Sequence, residues 1–248
     1  MKKPCNLSAV ASNDEYVFVA AGTGNNANIQ VYEINTDTWK LVESVLKTPR
    51  YGSSAVIIND KLHVFAGYGT AVLDSVEVFD VSKGEVHPCS DELVVPALKE
   101  GRYLHTSVVK DVDLVIHLGG HSGAAYLSSC ESINVTTSQR CDIADLLHPR
   151  GYFPPSLLGE QILVTGGYSS SGSLSNVESY SFLTKQWSEI KPLTTARYGH
   201  CSCAFDKKLF VFGGYGVNTI VFYDPTTLCW RDHDNLHISR AYFSTIKL

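Results

Sequence analysis

Apolar residues in this chain fall in short runs of strand length, broken by clusters of Gly, Asn, Asp and Ser. Five of these runs end on a pair of small residues: "VFVAAG" (17–22), "HVFAGYG" (63–69), "VIHLGGH" (115–121), "ILVTGGY" (162–168) and "FVFGGYG" (210–216). The second residue of each pair is a glycine, at 22, 67, 120, 167 and 214, so the steps between them are 45, 53, 47 and 47. A polar loop follows each pair, and then a second kind of run: "IQVYEINTDTW", "VEVFDVSKGEV", "CESINVTTSQR", "VESYSFLTKQW" and "IVFYDPTTLCW". Seven positions separate Tyr32 from Trp39, Tyr180 from Trp187 and Tyr223 from Trp230, while Phe79 with Val86 and Ile133 with Arg140 keep the spacing without the Trp. Each repeat therefore predicts four strands, a to d; in the fourth they lie near 152–158, 161–166, 175–182 and 186–190.

A sheet of four such strands cannot bury both faces alone, whereas sheets stacked side by side around an axis can. A period of 45–53 residues carrying a double Gly, then Tyr, then Trp resembles the Kelch repeat, and the resemblance covers nearly the whole chain. Repeats four and five match best; repeat one has Ala21-Gly22 for Gly-Gly, and repeat three lacks both Tyr and Trp. The resemblance implies an all-β, Kelch-type β-propeller. One domain is expected over 1–248, with repeats of about 4–48, 49–100, 101–148, 149–195 and 196–238. The N-terminal "PCNLSAVASND" supplies a strand a, and the tail "SRAYFSTIKL" (239–248) starts another. Five blades of four antiparallel strands is the expectation. Either the tail closes blade one and displaces the N-terminal segment, or the alternative is a truncated six-bladed propeller.

In antiparallel neighbours the start of strand a and the end of strand b share one rim. Strand a opens with Arg50-Tyr51, Arg102-Tyr103 and Arg197-Tyr198, and more loosely with Arg150-Gly-Tyr152 and Arg240-Ala-Tyr242. Strand b ends next to Tyr68, His121, Tyr168 and Tyr215. These residues predict a ring of arginines and tyrosines at one mouth, types suited to directional contacts with a partner protein or peptide. Five guanidinium groups would suit an acidic or phosphorylated one; pairing of each arginine inside its own blade is the alternative. In Kelch proteins that serve as substrate-recognition arms of ubiquitin-ligase adaptors, the same rim binds the client. By that resemblance the positions to carry over are Arg50, Tyr51, Tyr68, Arg102, Tyr103, His121, Arg150, Tyr168, Arg197, Tyr198, Tyr215 and Arg240. The BTB and BACK domains of those adaptors are not in this sequence, so only the binding module carries over. Variable loops, "PCSDELVVPALKEG" (88–101) and the flexible-looking "YSSSGSLSN" (168–176), are further candidates for specificity.

Composition narrows the picture. A net charge of −5 argues against a surface-wide nucleic-acid-binding face. The sequence shows neither a signal peptide nor an apolar span of membrane length. Seven cysteines at irregular spacing suggest reduced thiols in a cytoplasmic protein. "CSC" (201–203) lacks the second pair of a zinc site. Some Kelch-fold proteins are enzymes, so a sugar- or metabolite-converting enzyme, mutarotase-like or oxidase-like, stands as the second reading, and an actin-binding protein as a weaker third. No catalytic set assembles from the residues, and no cofactor or metal is expected. "DHDNLH" (232–237) reads as a solvated loop, and His105 and His200 as strand histidines bonded within the core.

Overall fold

The computed structural model describes residues 1–24, 27–89 and 95–244. Five four-stranded antiparallel sheets follow one another along it. Blade 1 holds β1 (Ala9–Ser12), β2 (Tyr16–Ala20), β3 (Ile29–Glu33) and β4 (Thr38–Val42). Blade 2 holds β5 (Ser54–Ile58), β6 (Lys61–Tyr68), β7 (Val72–Asp80) and β8 (His87–Pro88). Blade 3 holds β9 (Thr106–Lys110), β10 (Leu114–Leu118), β11 (Cys130–Asn134) and β12 (Arg140–Cys141). In blade 4, β13 (Pro155–Leu158) and β14 (Gln161–Thr165) are followed by a small hairpin, β15 (Tyr168–Ser169) and β16 (Gly172–Ser173), then by β17 (Val177–Ser181) and β18 (Gln186–Ile190). Blade 5 holds β19 (Cys201–Phe205), β20 (Lys208–Phe212), β21 (Thr219–Asp224) and β22 (Cys229–Asn235). The chain is thus an all-β propeller of five blades, each ordered a–b–c–d, as the repeats predict.

Contacts divide it into two compact units, one of residues 1–117 and 131–141, the other of 118–130 and 142–247. In the first, Phe18, Ile29 and Val31 of blade 1 pack against Leu62, Val64 and Phe79 of blade 2. In the second, Leu163 and Val177 of blade 4 pack against Leu209, Val211, Val221 and Tyr223 of blade 5. Each such side chain contributes about 1.5–3 kcal/mol when fully buried, so the cores lie between sheets rather than within them.

The seven-residue spacing has a plain cause. Strands c and d form a tight hairpin, and Tyr32↔Trp39, Tyr180↔Trp187 and Tyr223↔Trp230 are direct cross-strand partners. Their ring centroids stand 5.0, 5.2 and 5.3 Å apart. The indole N–H of Trp187 donates to the carbonyl of Ala144 at 2.8 Å, and that of Trp230 to Lys191 at 2.7 Å, tying each hairpin to the loop that precedes its blade. In blade 3 Arg140 holds the Trp position and its guanidinium donates to the carbonyl of Ala97, doing the same work with a different donor. Blade 2 departs from the expected spacing: a 3-10 turn at Ser82–Gly84 lengthens the hairpin, and Phe79 pairs with Pro88 instead of Val86.

The small pair also resolves into two roles. Its first member has a left-handed backbone, φ 62, 53, 54, 52 and 59 at Ala21, Ala66, Gly119, Gly166 and Gly213, which alanine tolerates at modest cost. The second, at Gly22, Gly67, Gly120, Gly167 and Gly214, has φ of 97, 108, 104, 104 and 128, where a side chain is strained. A Cβ on Gly167 would also stand 2.9 Å from the carbonyl oxygen of Gly151. Gly167→Ala should therefore lower stability by about 1–3 kcal/mol, measured as a shift in urea midpoint; an unchanged midpoint would show that this turn can relax.

The N-terminal segment is the strand a of blade 1, since β1 pairs with β2 from Ala9↔Ala20 to Ser12↔Val17. The tail does not displace it among the described residues; the end of the predicted sixth strand, 245–248, lies outside them, as do 90–94 of the long loop. The 168–176 loop, read from sequence as flexible, contains the β15–β16 hairpin.

Candidate functional site

Arginines open the strand a segments, but their side chains turn inward. Arg50, Arg102, Arg150 and Arg197 are 0–1 % exposed, the largest fully buried side chains of the described residues. Arg50 donates through Nη1 to the carbonyls of Ala66 and Ser75, both at 3.0 Å, and through Nη2 to Glu77 at 2.6 Å. Arg150 repeats the pattern with Gly166 at 2.6 Å, Asn176 at 3.1 Å and Glu178. Arg102 pairs with Glu131 at 3.3 Å. Arg197 reaches Gly213 at 3.0 Å, and the carbonyl and hydroxyl of Thr219 at 3.2 and 3.0 Å. Blade 5 carries Val221 where the other three have glutamate. Burial lowers the Arg197 pKa to about 10, with the Asp232 carboxylate pulling the other way, so the group remains charged at neutral pH.

The glutamates do a second job. Glu77 accepts from the backbone N–H groups of Lys47 (2.7 Å) and Thr48 (3.0 Å), and Glu178 from those of Leu147 (2.7 Å) and His148 (3.1 Å). Blade 1 performs the same clamp without charge: Cys5 stands at the arginine position, and Gln30 accepts from Lys2 (2.8 Å) and Lys3 (2.9 Å). The arginine's own carbonyl then receives the N–H of the preceding blade's second glycine: Gly22 to Arg50, Gly67 to Arg102, Gly120 to Arg150 and Gly167 to Arg197. In blades 2, 3 and 4, arginine, glutamate and the small pair are parts of one staple that holds the d–a loop on its blade.

The expected arginine-lined mouth is therefore corrected for Arg50, Arg102, Arg150 and Arg197. A guanidinium with its donors committed to backbone carbonyls, and fully buried, is not offered to a ligand. Arg240 differs, being exposed.

The tyrosines gather where strands a begin and strands b end. Strand ends meet through reciprocal backbone bonds between Tyr51 and Tyr68, at 2.9 and 2.8 Å, and between Gly151 and Tyr168, at the same two distances. In the first unit Tyr51, Tyr68 and Tyr103 form a triangle with centroid separations of 5.4, 5.3 and 6.3 Å. In the second, Tyr198 lies 4.9 Å from Tyr168, 5.3 Å from Tyr215, 5.9 Å from Tyr152 and 6.2 Å from Tyr242. Tyr126 joins them, 6.0 Å from Tyr168 and 4.7 Å from His121. All are partly exposed, Tyr215 most at 63 %. Partial burial raises the pKa of Tyr103 and Tyr242, the latter helped by a hydrogen bond with Tyr198, so both present neutral hydroxyls. Tyr126 was not predicted, because it lies in a b–c loop outside the repeat pattern; a third aromatic after "GGH" was its only signal.

Asp232, His233 and Asp234 lie on β22 rather than in a loop, with the ring of His233 5.5 Å from that of Phe210. Among the described residues no group of three or more His, Cys, Asp or Glu is placed to hold a metal ion, and no helix is long and apolar enough to cross a membrane.

Blades of this construction, with their glycine pairs and aromatic hairpins, define a Kelch-type propeller. The KLHDC2/KLHL20/DRC7 Kelch-repeats domain family matches residues 6–214, and the Kelch motif matches 196–235. The chain belongs to the Kelch-repeat family. Among solved structures, "Structure of YjhT" superposes with a TM-score of 0.81 at 14 % identity, covering 98 % of this chain and 87 % of that one. At that identity the likeness shows the fold alone. No curated protein matches the sequence.

Proposed function

We propose that this chain is a protein-interaction module that holds a partner protein or peptide on its tyrosine-lined rim. The fold supports a binding role, since Kelch repeats build rigid frames that present loops and rim side chains. The carrying observation is the clustering of half-exposed tyrosines where strands a begin and strands b end. Tyrosine offers a large, stiff surface with a hydroxyl at its edge, the chemistry of interface hot spots. With four arginines committed inside the blades, the surface is aromatic and hydroxyl-rich rather than cationic. The expected partner is accordingly an apolar or aromatic segment with backbone groups for the hydroxyls, in place of an acidic or phosphorylated one. A role as the recognition component of a ubiquitin-ligase complex is one use of such a module, and the likeness to YjhT carries no enzymatic activity to this chain.

The test is affinity capture with the wild type beside Tyr68→Ser/Tyr103→Ser and Tyr168→Ser/Tyr198→Ser. Loss of specific partners with little change in Tm is the expected result. An unchanged set of captured proteins from both double variants would remove the rim from consideration.

A further inference from the structure

Blade 5 keeps the frame of the staple and drops its carboxylate; every residue concerned lies in the second unit. The loop entering blade 5 is held as the loop entering blade 4 is. Leu193 donates its N–H to Ser175 at 2.9 Å and Arg197 to Leu174 at 3.1 Å, as Leu146 does to Ser128 at 3.0 Å and Arg150 to Leu127 at 3.1 Å. The guanidinium takes the same pose. Nη1 of Arg197 meets the carbonyls of Gly213 and Thr219 and Nε that of Thr195, where Arg150 meets Gly166, Asn176 and His148.

In blades 1, 2 and 4 the residues three and two before the junction residue give their N–H groups to one side chain of strand c. They are Lys2 and Lys3 to Gln30, Lys47 and Thr48 to Glu77, and Leu147 and His148 to Glu178. The blade 5 counterparts are Thr194 and Thr195, and strand c presents Val221, which accepts nothing. Among the described residues no acceptor meets either N–H. Arg197 is short of a partner in the same place. Arg50 spreads Nη2 over the Ser75 hydroxyl at 3.2 Å and the Glu77 carboxylate at 2.6 Å. For Arg197 the Thr219 hydroxyl takes Nη2 at 3.0 Å in the carboxylate's stead, from the position of Ser75, and brings no charge. The guanidinium is 1 % exposed, closed to the mouth, and no carboxylate of the described residues pairs with it. A buried cation without its anion is costly, and successive backbone N–H groups beside a guanidinium make an anion-binding concavity.

One acid lies nearby. Asp232 is the cross-strand partner of Val221, as Glu189 is of Glu178, and its charge acts on Arg197. In blade 4 Glu189 turns to His148 at 2.6 Å and Asn176 at 3.0 Å, and Glu178 is buried in the clamp all the same. An acid at the Asp232 position is therefore compatible with a second carboxylate. Thr194, Thr195 and Asp232 are exposed, and Glu77 in the same clamp of blade 2 keeps 11 % of its side chain open, so this place is reached from the surface beside the loop.

We propose that blade 5 binds a carboxylate from outside the chain, held by Nη2 of Arg197 and the N–H groups of Thr194 and Thr195. Two oxygens meet these three donors as Glu77 Oε1 meets Arg50 and Thr48 and its Oε2 meets Lys47. Valine ends one bond past Cβ, so a ligand and not strand c supplies the oxygens.

Acetate is the first probe, titrated against chloride at constant ionic strength while heteronuclear NMR follows the backbone amides. The Thr194 and Thr195 amides should move downfield and saturate in the millimolar range expected of so small a ligand. Val221→Glu should place both amides downfield without acetate and abolish the response. Val221→Gln, which brings the amide oxygen that Gln30 uses in blade 1, serves the same purpose if the glutamate variant does not fold. Asp232→Asn should tighten acetate binding several-fold by removing a like charge. An acetyl-Ala-Asp-Ala-amide peptide separates two sources of the carboxylate. Half-saturation at a tenfold lower concentration than acetate assigns the site to an acidic side chain of a partner polypeptide, and a peptide no better than acetate assigns it to a free small acid. Amides that do not move with acetate would overturn the proposal. So would an equal response in Val221→Glu, or amides that shift upfield on Asp232→Asn and ignore acetate, which would place Asp232 itself in the clamp.

Discussion

Arg150→Ala is expected to cost about 3–5 kcal/mol of folding stability, since it leaves a buried carboxylate without its cation. Arg150 and Glu178 have side chains 0 % exposed, and Glu178 is the residue against which the two N–H groups of the preceding loop are clamped. Removing the guanidinium also takes a donor from the carbonyl of Gly166, which costs the bond to a buried acceptor, whereas the carbonyl of Asn176 keeps the N–H of Gly166 at 3.0 Å. Arg240→Ala, at an exposed position, should move stability by no more than about 0.5 kcal/mol. Blade 1 suggests the rescue. Its Cys5 and Gln30 fill the same two positions with neutral groups while Gln30 still accepts from Lys2 and Lys3. The double variant Arg150→Cys/Glu178→Gln should therefore recover part of the loss, because no unpaired charge remains buried. Urea denaturation of the four proteins decides the matter. A loss below about 1 kcal/mol for Arg150→Ala would mean that water or a moved side chain replaces the guanidinium, and would reopen the arginines as ligand contacts.

The contrast between arginine and tyrosine shows what could be read from the residues. Strand existence, the hairpin behind Tyr180 and Trp187, and the shared rim of Tyr51 and Tyr68 all follow from spacing, because a strand has a fixed rise and an alternating pair of faces. The direction of a long flexible side chain at a loop–strand junction does not, and the outward reading of the arginines failed there. A signal was nonetheless present. Two residues before Phe79, Ile133 and Tyr180 of strand c stand Glu77, Glu131 and Glu178 where the junction residue is arginine, and two before Tyr32 stands Gln30 where it is Cys5. Charge at one position tracks charge at the other within one chain, as a buried pair requires. Blade 5 breaks the rule with Arg197 and Val221, and there the Thr219 hydroxyl takes the place of the carboxylate.

Stability should fall steeply as pH drops below about 6.5, the ordinary histidine pKa. Four histidines are buried: His63, His105, His117 and His200 are 1 %, 6 %, 0 % and 4 % exposed. Desolvation is the main cause that pushes His63 down to about 4, with Lys61 adding to it. Burial, with Arg102 next, takes His117 to about 3, and burial with Arg197 takes His200 to about 3. His105 is driven well below the usual value by burial and by its neighbour His117. Their neutral forms are fitted into the fold: Ser54 bridges His105 Nε2 at 2.8 Å and the Ser107 hydroxyl, which meets His117 Nδ1 at 2.7 Å, while Thr165 meets His200 Nε2 at 2.9 Å. Between pH 6.5 and about 4 the unfolded chain therefore binds protons that the folded chain refuses. Stability is complete above 6.5 and is lost as pH falls through that window, by about 1.4 kcal/mol per pH unit for each histidine. With four acting together, a typical stability of about 5–15 kcal/mol is consumed within one to three units. The urea midpoint followed from pH 7.5 to 4.5 measures the slope, and His63→Leu should reduce it by about one proton's worth. A flat profile down to pH 5 would show that these imidazoles are protonated in the folded protein, and that the serine and threonine contacts hold the charged form.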